Sequence, residues 1–234
     1  MHFMKLLHNC DNYRKVKLGK RYKTLITGST ISYEGMQLLA YIIKTISPHV
    51  TLEFGSGLST LLISKMIPKN SLFISVEDSP EYLYKTKKML GKPRNNIILD
   101  YAPISPLNFK FKYFLSYELS YVKRLRNKKL DLVFIDGPLG YKYGRESDMY
   151  ALIPYITNRT IFVLDDSNRI DEQNALLNWK KVFVEGLETV HLEHIKCGMT
   201  VFRINNPKNI SRFPFSIPKI IKSIIDVSIR KTYV

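Results

Sequence analysis

Strands and helices alternate along this 234-residue chain, which predicts an α/β fold with a mostly parallel sheet and helices on both faces. Three observations carry that prediction. Short apolar runs such as VTLEF (50–54), SLFISVE (71–77) and DLVFID (131–136) recur between amphipathic stretches. A glycine turn, Gly55-Ser56-Gly57, follows the first run directly and opens a helical stretch. The last two runs, TVHLEHI (189–195) and MTVFRI (199–204), are separated only by Lys196-Cys197-Gly198, so they should close the sheet as an antiparallel pair.

The elements follow in order. ISYEGMQLLAYIIKTIS (31–47) spaces Met36, Leu39, Ala40 and Ile43 along one helical face, with Ser32 at its start and Pro48 beyond its end. VTLEF reads as a buried strand, and LSTLLISKM after the glycines as a helix through about Lys65. SLFISVE is a second strand, SPEYLYKTKKML (79–90) a helix closed by Gly91 and Pro93, and NNIILDY (95–101) a third strand. In YFLSYELSYVKRLRN (113–127), Phe114, Leu115, Leu119 and Val122 recur at helical spacing, so this segment is expected as a helix packed on the sheet. DLVFID and TIFVLDD (160–166) are the fourth and fifth strands, and DEQNALLNWKKVF (171–183) is a helix. Residues 1–30 are expected as a basic N-terminal extension, 31–205 as one domain and 206–234 as a basic amphipathic tail.

Composition narrows the function classes. No run of about 18 apolar residues occurs, and the N-terminus lacks an apolar segment followed by a small-residue cleavage site, so neither a spanning helix nor a secretory signal is expected. Two distant cysteines, Cys10 and Cys197, suit a reducing cytoplasm and offer no metal cluster. The net charge of +16 is localised: residues 1–23, 109–129 and 206–234 carry surpluses of +6, +6 and +5, leaving the remainder near neutral. Such placement points to an anionic partner met at the periphery.

The glycine turn raises the question of its ligand, because open parallel sheets bind ligands beyond the carboxyl ends of their strands. A dinucleotide fingerprint would have a third glycine where Thr60 stands, and Glu53 would repel a pyrophosphate. Glu77, ending the second strand, is placed to accept hydrogen bonds from a ribose. A ligand with a ribose and a cationic, amino-acid-like end fits these acids, and S-adenosylmethionine has both.

Taken together, LEFGSGLST, SVEDSPEYLYKTKKML, LVFIDGPLGYKYGRES and FVLDDSNR resemble, in that order, the signature stretches of class I S-adenosylmethionine-dependent methyltransferases. The likeness is closest to small O-methyltransferase-like proteins with IDGP…GR and DDxxR turns, and the DGPxGY stretch is similar to that of plant glucuronoxylan methyltransferases. The resemblance implies a Rossmann-like methyltransferase fold of seven strands, the last antiparallel. It implies Glu53, Gly55, Ser56 and Gly57 around the methionine part of the cofactor, with Ser59 and Thr60 capping the next helix. Glu77 would hold the ribose, Asp78, Asp100 and Tyr101 would approach the adenine, and Asp136 would sit beneath the sulfonium, facing the acceptor.

Three acids, Asp136, Asp165 and Asp166, end two neighbouring strands, and two uses compete for them. Asp136 or Asp166 could act as general base on a hydroxyl, or all three could hold Mg²⁺ or another divalent ion. The catechol-type O-methyltransferases use two acids and an amide for such an ion, and Asp166 stands here in place of the amide. Arg145 and Arg169 are candidates for binding an anionic acceptor such as a uronic acid or a phosphorylated sugar, or for bracing the loops through salt bridges. His191 and His194 read as structural strand residues.

The function expected is O-methylation of a saccharide or other small anionic acceptor, as in polysaccharide biosynthesis. An RNA methyltransferase and a non-catalytic S-adenosylmethionine- or nucleotide-binding module remain as alternatives. Base amino methylation is disfavoured because Asp136-Gly137-Pro138-Leu139 lacks the second proline and the aromatic residue of that turn. In KIIKSIIDVSIRK (219–231) the isoleucines largely share one helical face beside Lys219, Lys222 and Arg230, a pattern suited to an anionic membrane surface at the cytoplasmic side, to another subunit, or to packing in cis.

Overall fold

A computed structural model describes residues 10–28, 30–138 and 144–230. Leu139 to Tyr143, within the GPLGYKYGRES stretch, lie outside the described residues, as do residues 1–9, Ser29 and 231–234.

Seven strands form one sheet: β1 (Val50–Phe54), β2 (Leu72–Glu77), β3 (Ile97–Tyr101), β6 (Leu132–Ile135), β7 (Ile161–Asp165), β8 (Leu187–Leu192) and β9 (Met199–Ile204). Their spatial order is β3-β2-β1-β6-β7-β9-β8. The pairs β3–β2, β2–β1, β1–β6 and β6–β7 are parallel, and β9 runs antiparallel to both its neighbours. The chain winds outward from β1 to β3, then returns to lay β6 on the other side of β1. That reversal opens a crevice at the carboxyl ends of β1 and β6.

Period-two alternation divides the core between the faces of the sheet. Leu52, Phe54, Ile135 and Leu164 point to one side with Trp179 and Phe202, whereas Phe73, Phe134 and Val163 point to the other with the helix Tyr33–Ile46. That helix starts where the sequence places it: Ser32 Oγ accepts the Gly35 N–H at 3.0 Å. The N-terminal segment joins the same core. Tyr13 is buried, and its hydroxyl lies 2.7 Å from Nε2 of His194. His191 Nδ1 meets the Thr200 hydroxyl at 2.8 Å. Both histidines are thus engaged by neighbouring hydroxyls.

The expected helix over 113–127 is a correction. Residues 104–117 form a hairpin, β4 (Ile104–Phe109) and β5 (Lys112–Tyr117), turned by Lys110 and Phe111 at φ 49° and 69°. Only Leu119–Tyr121 (3₁₀) and Val122–Leu125 (α) remain helical. Packing overrides the periodicity, because β5 is covered by the helices Gly144–Leu152 and Ile217–Arg230. Lys112 Nζ is buried 3.0 Å from Glu146 Oε1, and Asn178 and Tyr150 also donate to that carboxylate. One charge of the basic run is therefore committed to the interior.

Candidate functional site

Strand ends position the site. Gly55 follows β1 at φ 85°, with its N–H on Val76 O at 2.9 Å. A Cβ there would lie 3.0 Å from Gly137 N, and one at Gly137 would strike the Tyr117 hydroxyl and Gly55. The turns after β1 and β6 therefore touch backbone to backbone, which only glycine permits. Beside them opens a cavity of about 630 Å³, within the range of small-molecule sites.

Glu77 closes the glycine turn from β2. Its Oε2 accepts the Ser56 N–H at 2.7 Å and its Oε1 the Ser79 N–H at 3.0 Å, so a carboxylate that is 7 % exposed is held by two backbone donors. Asp78, next to it, is pushed up to about 6 by burial and by the Glu77 charge. Asp136 follows β6, Asp165 ends β7 and Asp166 comes directly after it. Asp166 adopts a left-handed conformation at φ 56°, and its N–H is caught by Asp165 Oδ1 at 2.9 Å. Burial pushes Asp136 up to about 6 against the pull of Arg145, and raises Asp165 well above the carboxylate range.

Arg145 sits under these acids, in the helix Gly144–Leu152 rather than on an open turn, because its fork fits between several acceptors. Its Nη2 lies 2.6 Å from Asp136 O, 3.2 Å from Asp136 Oδ1 and 3.0 Å from Asp166 Oδ2; its Nη1 reaches Asp165 O at 2.9 Å and Glu172 at 3.4 Å. Arg169, half-exposed on the cavity wall, pairs with Asp166 at 2.8 Å. Guanidinium charge thus already fills the space between Asp136 and Asp166, and this donor set does not fit a divalent ion. Among the described residues no group of three or more His, Cys, Asp and Glu side chains could hold one.

The other sequence candidates divide between a layer beneath the cavity and positions apart from it. Glu53 is fully buried below the glycine turn, with Oε2 accepting the Thr60 and Ser75 hydroxyls at 2.6 Å each. The Thr60 hydroxyl in turn accepts the Gly57 N–H at 2.8 Å, so Glu53 braces the turn through Thr60. Ser59 is buried in the same layer, and the helix Leu58–Met66 is capped at Gly57. Asp100 and Tyr101 do not line the cavity: Asp100 pairs with Arg124 at 3.1 Å, and Tyr101 is exposed.

Several lining residues escaped the sequence reading. Tyr117 was hidden by the misassigned helix. Gly28, Ile31 and Ser32, in and next to the supposed extension, form one wall, closed by Lys196, whose Nζ donates to Gly28 O at 2.9 Å. No sequence signal marks that closure except the KCG turn, which the antiparallel pair places near the end of β7.

Burial lifts Glu53 to about 7, opposed by its hydroxyl donors. A carboxyl raised in the folded state adds stability below its unfolded pKa and loses it as pH rises through the folded one. Glu53→Gln should therefore remove a loss of about 3 kcal/mol that accrues between pH 5 and pH 8. Urea unfolding of both proteins at the two pH values reads this directly; parallel pH profiles would refute it.

No family model matches the sequence, and no curated protein matches it. Solved structures do share its architecture. An O-methyltransferase from Bacillus cereus, in complex with S-adenosylhomocysteine, superposes with a TM-score of 0.56 at 11 % identity, covering 86 % of this chain and 97 % of its own. An S-adenosylhomocysteine-bound methyltransferase from Podospora anserina gives 0.58 at 15 %, covering 87 % and 97 %. An O-methyltransferase of tomaymycin synthesis from Streptomyces achromogenes, in complex with S-adenosylmethionine, gives 0.57 at 12 %, covering 88 % and 100 %. What is shared at these identities is the backbone architecture: this chain has the Rossmann-like fold of these methyltransferases, with helices on both faces of the sheet and one antiparallel strand.

Proposed function

We propose that this chain is an S-adenosylmethionine-dependent O-methyltransferase acting on a small hydroxyl-bearing acceptor, either a saccharide or another anionic molecule. One observation carries the reading: the cavity beyond β1 and β6 is acidic, although the chain is strongly basic. Among its described lining residues, Glu77, Asp78, Asp136, Asp165 and Asp166 face only Arg169 and Lys196. Even with Asp165 left uncharged by burial and Arg145 set against Asp136 and Asp166, the acids outnumber the cations, which suits a ligand whose reactive end is a sulfonium beside an ammonium. The close Gly55–Gly137 contact locks the two turns beside this cavity against each other.

Bound there, the cofactor supplies a methyl group already activated toward an oxygen nucleophile. Glu77 would take the ribose hydroxyls while Ser56 and Ser79 hold its orientation. Asp136 would remove the acceptor proton: raised to about 6, it is mostly ionised at neutral pH yet basic enough to accept. Arg145 would keep that carboxylate aimed, and Arg169 and Lys196 on the wall would meet a negative group on the acceptor. An RNA acceptor has less support, because Lys112 is buried against Glu146 and Arg124 pairs with Asp100, which breaks up the basic run 109–129.

Isothermal titration with S-adenosylhomocysteine tests the cofactor, with micromolar binding expected. Asp136→Asn should keep that binding and lose at least about a hundredfold in methyl transfer to a hydroxyl acceptor. The wild-type rate should rise as pH passes through about 6, where Asp136 gives up its proton. No binding by the wild type would remove the proposal, and unchanged turnover in Asp136→Asn would move the base elsewhere.

A further inference from the structure

The helix Ile217–Arg230 has one apolar seam packed on the domain and a second that faces outward. Ile220, Ser223 and Val227, spaced i, i+3 and i+7, form the first; Ser223 Oγ accepts the Tyr113 N–H of β5 at 3.0 Å. Alongside run Ile217, Ile221, Ile224, Ile225 and Ile229, each 45 to 72 % exposed. Phe213 just before the helix and Phe111 at the tip of the β4–β5 hairpin are 71 % and 64 % exposed. Singly exposed apolar residues need no explanation, but a stripe of isoleucines along a well-seated helix does.

Charge identifies what covers the stripe. Residues 206–234 contain six basic residues and one acid. Arg212, Lys219 and Lys222 are exposed, and Lys110 stands beside Phe111 at the hairpin tip. A second copy docked through the same face would bring two basic rims together. An anionic lipid surface instead takes isoleucine and phenylalanine at the acyl boundary and lysine and arginine at the phosphates. We infer that this face docks peripherally on an anionic membrane, with the helix lying in the interfacial plane. No helix among the described residues is long and apolar enough to cross a bilayer, so the contact runs along the membrane rather than through it.

Flotation of the full chain with vesicles of phosphatidylcholine and phosphatidylglycerol, against pure phosphatidylcholine, tests the inference. Binding is expected to the anionic vesicles only and to weaken with salt. Ile221→Ser/Ile225→Ser and Lys219→Glu/Lys222→Glu should each reduce partitioning by more than about tenfold. The thermal melt should be unchanged, since these side chains are exposed. Equal binding to both vesicle types, or wild-type binding by both variants, overturns the inference. So does a wild-type dimer, seen by light scattering, that the serine variant dissolves, because the stripe would then be covered by a second copy.

Discussion

Glu77→Ala is expected to weaken S-adenosylhomocysteine binding by at least about a hundredfold. The side chain does two jobs at the end of β2: it supplies a fixed negative charge to the cavity, and it holds the Ser56 and Ser79 N–H groups at 2.7 and 3.0 Å. Each charge-assisted hydrogen bond is worth about 1.5–3 kcal/mol, and its loss leaves a backbone donor unpaired next to the glycine turn. Glu77→Gln separates the jobs, because its amide keeps one acceptor and the side-chain shape but removes the charge. About a tenfold loss is expected for Gln, and amide hydrogen exchange should speed up at both Ser56 and Ser79 in the alanine variant but at only one of them in the glutamine variant. Wild-type affinity in Glu77→Ala would mean that the ligand binds elsewhere.

Much of this site lies at strand ends, and strand ends are legible because a short apolar run followed by an acid or glycine has few alternatives. Glu77, Asp136, Asp165 and Asp166 were located that way, as was the antiparallel closure around Lys196-Cys197-Gly198. What a one-dimensional pattern does not give is the layer in which a residue sits. Glu53 lies in the middle of a strand whose neighbours Leu52 and Phe54 face the other side, so its carboxyl points under the turn to Thr60 rather than into the cavity. Arg145 was legible as either an anion-binding group or a salt-bridge brace, but its placement under four acids depends on how the helix Gly144–Leu152 packs between β5 and the helix Ile170–Val182.

The hairpin shows a second kind of loss. Over KYFLSY, helical and strand spacings coincide for a few residues, and no proline or glycine marks the Lys110–Phe111 turn. The partner that decides for a strand, the helix Ile217–Arg230, lies about a hundred residues further along the chain (Tyr113 to Ser223, |i−j| 110). One misassigned segment then concealed Tyr117 and the Arg124–Asp100 pair together.

Arg145→Met should destabilise the fold by about 3–5 kcal/mol near neutral pH, the range for removing one partner of a buried ion pair. The guanidinium is 4 % exposed and reaches Asp136, Asp166 and Glu172 at 3.0 to 3.4 Å, with Asp165 supplying a carbonyl. Methionine fills a similar volume but leaves Asp136 and Glu172 buried without this countercharge, and Asp166 with Arg169 alone. The pH dependence fixes the cause. Burial already raises Asp136 and Asp165, and Arg145 is the group that pulls them back. Without it their folded-state pKa values climb further, so stability is kept at low pH, where the acids are protonated, and lost as pH rises through those values. Urea unfolding should therefore show a small loss at pH 5.5 and the full loss at pH 8. Arg145→Lys, which keeps the charge without the planar fork, should fall between. An equal loss at both pH values would show that Arg145 holds the cluster by packing, and Asp136 would then owe its orientation to something other than the guanidinium beneath it.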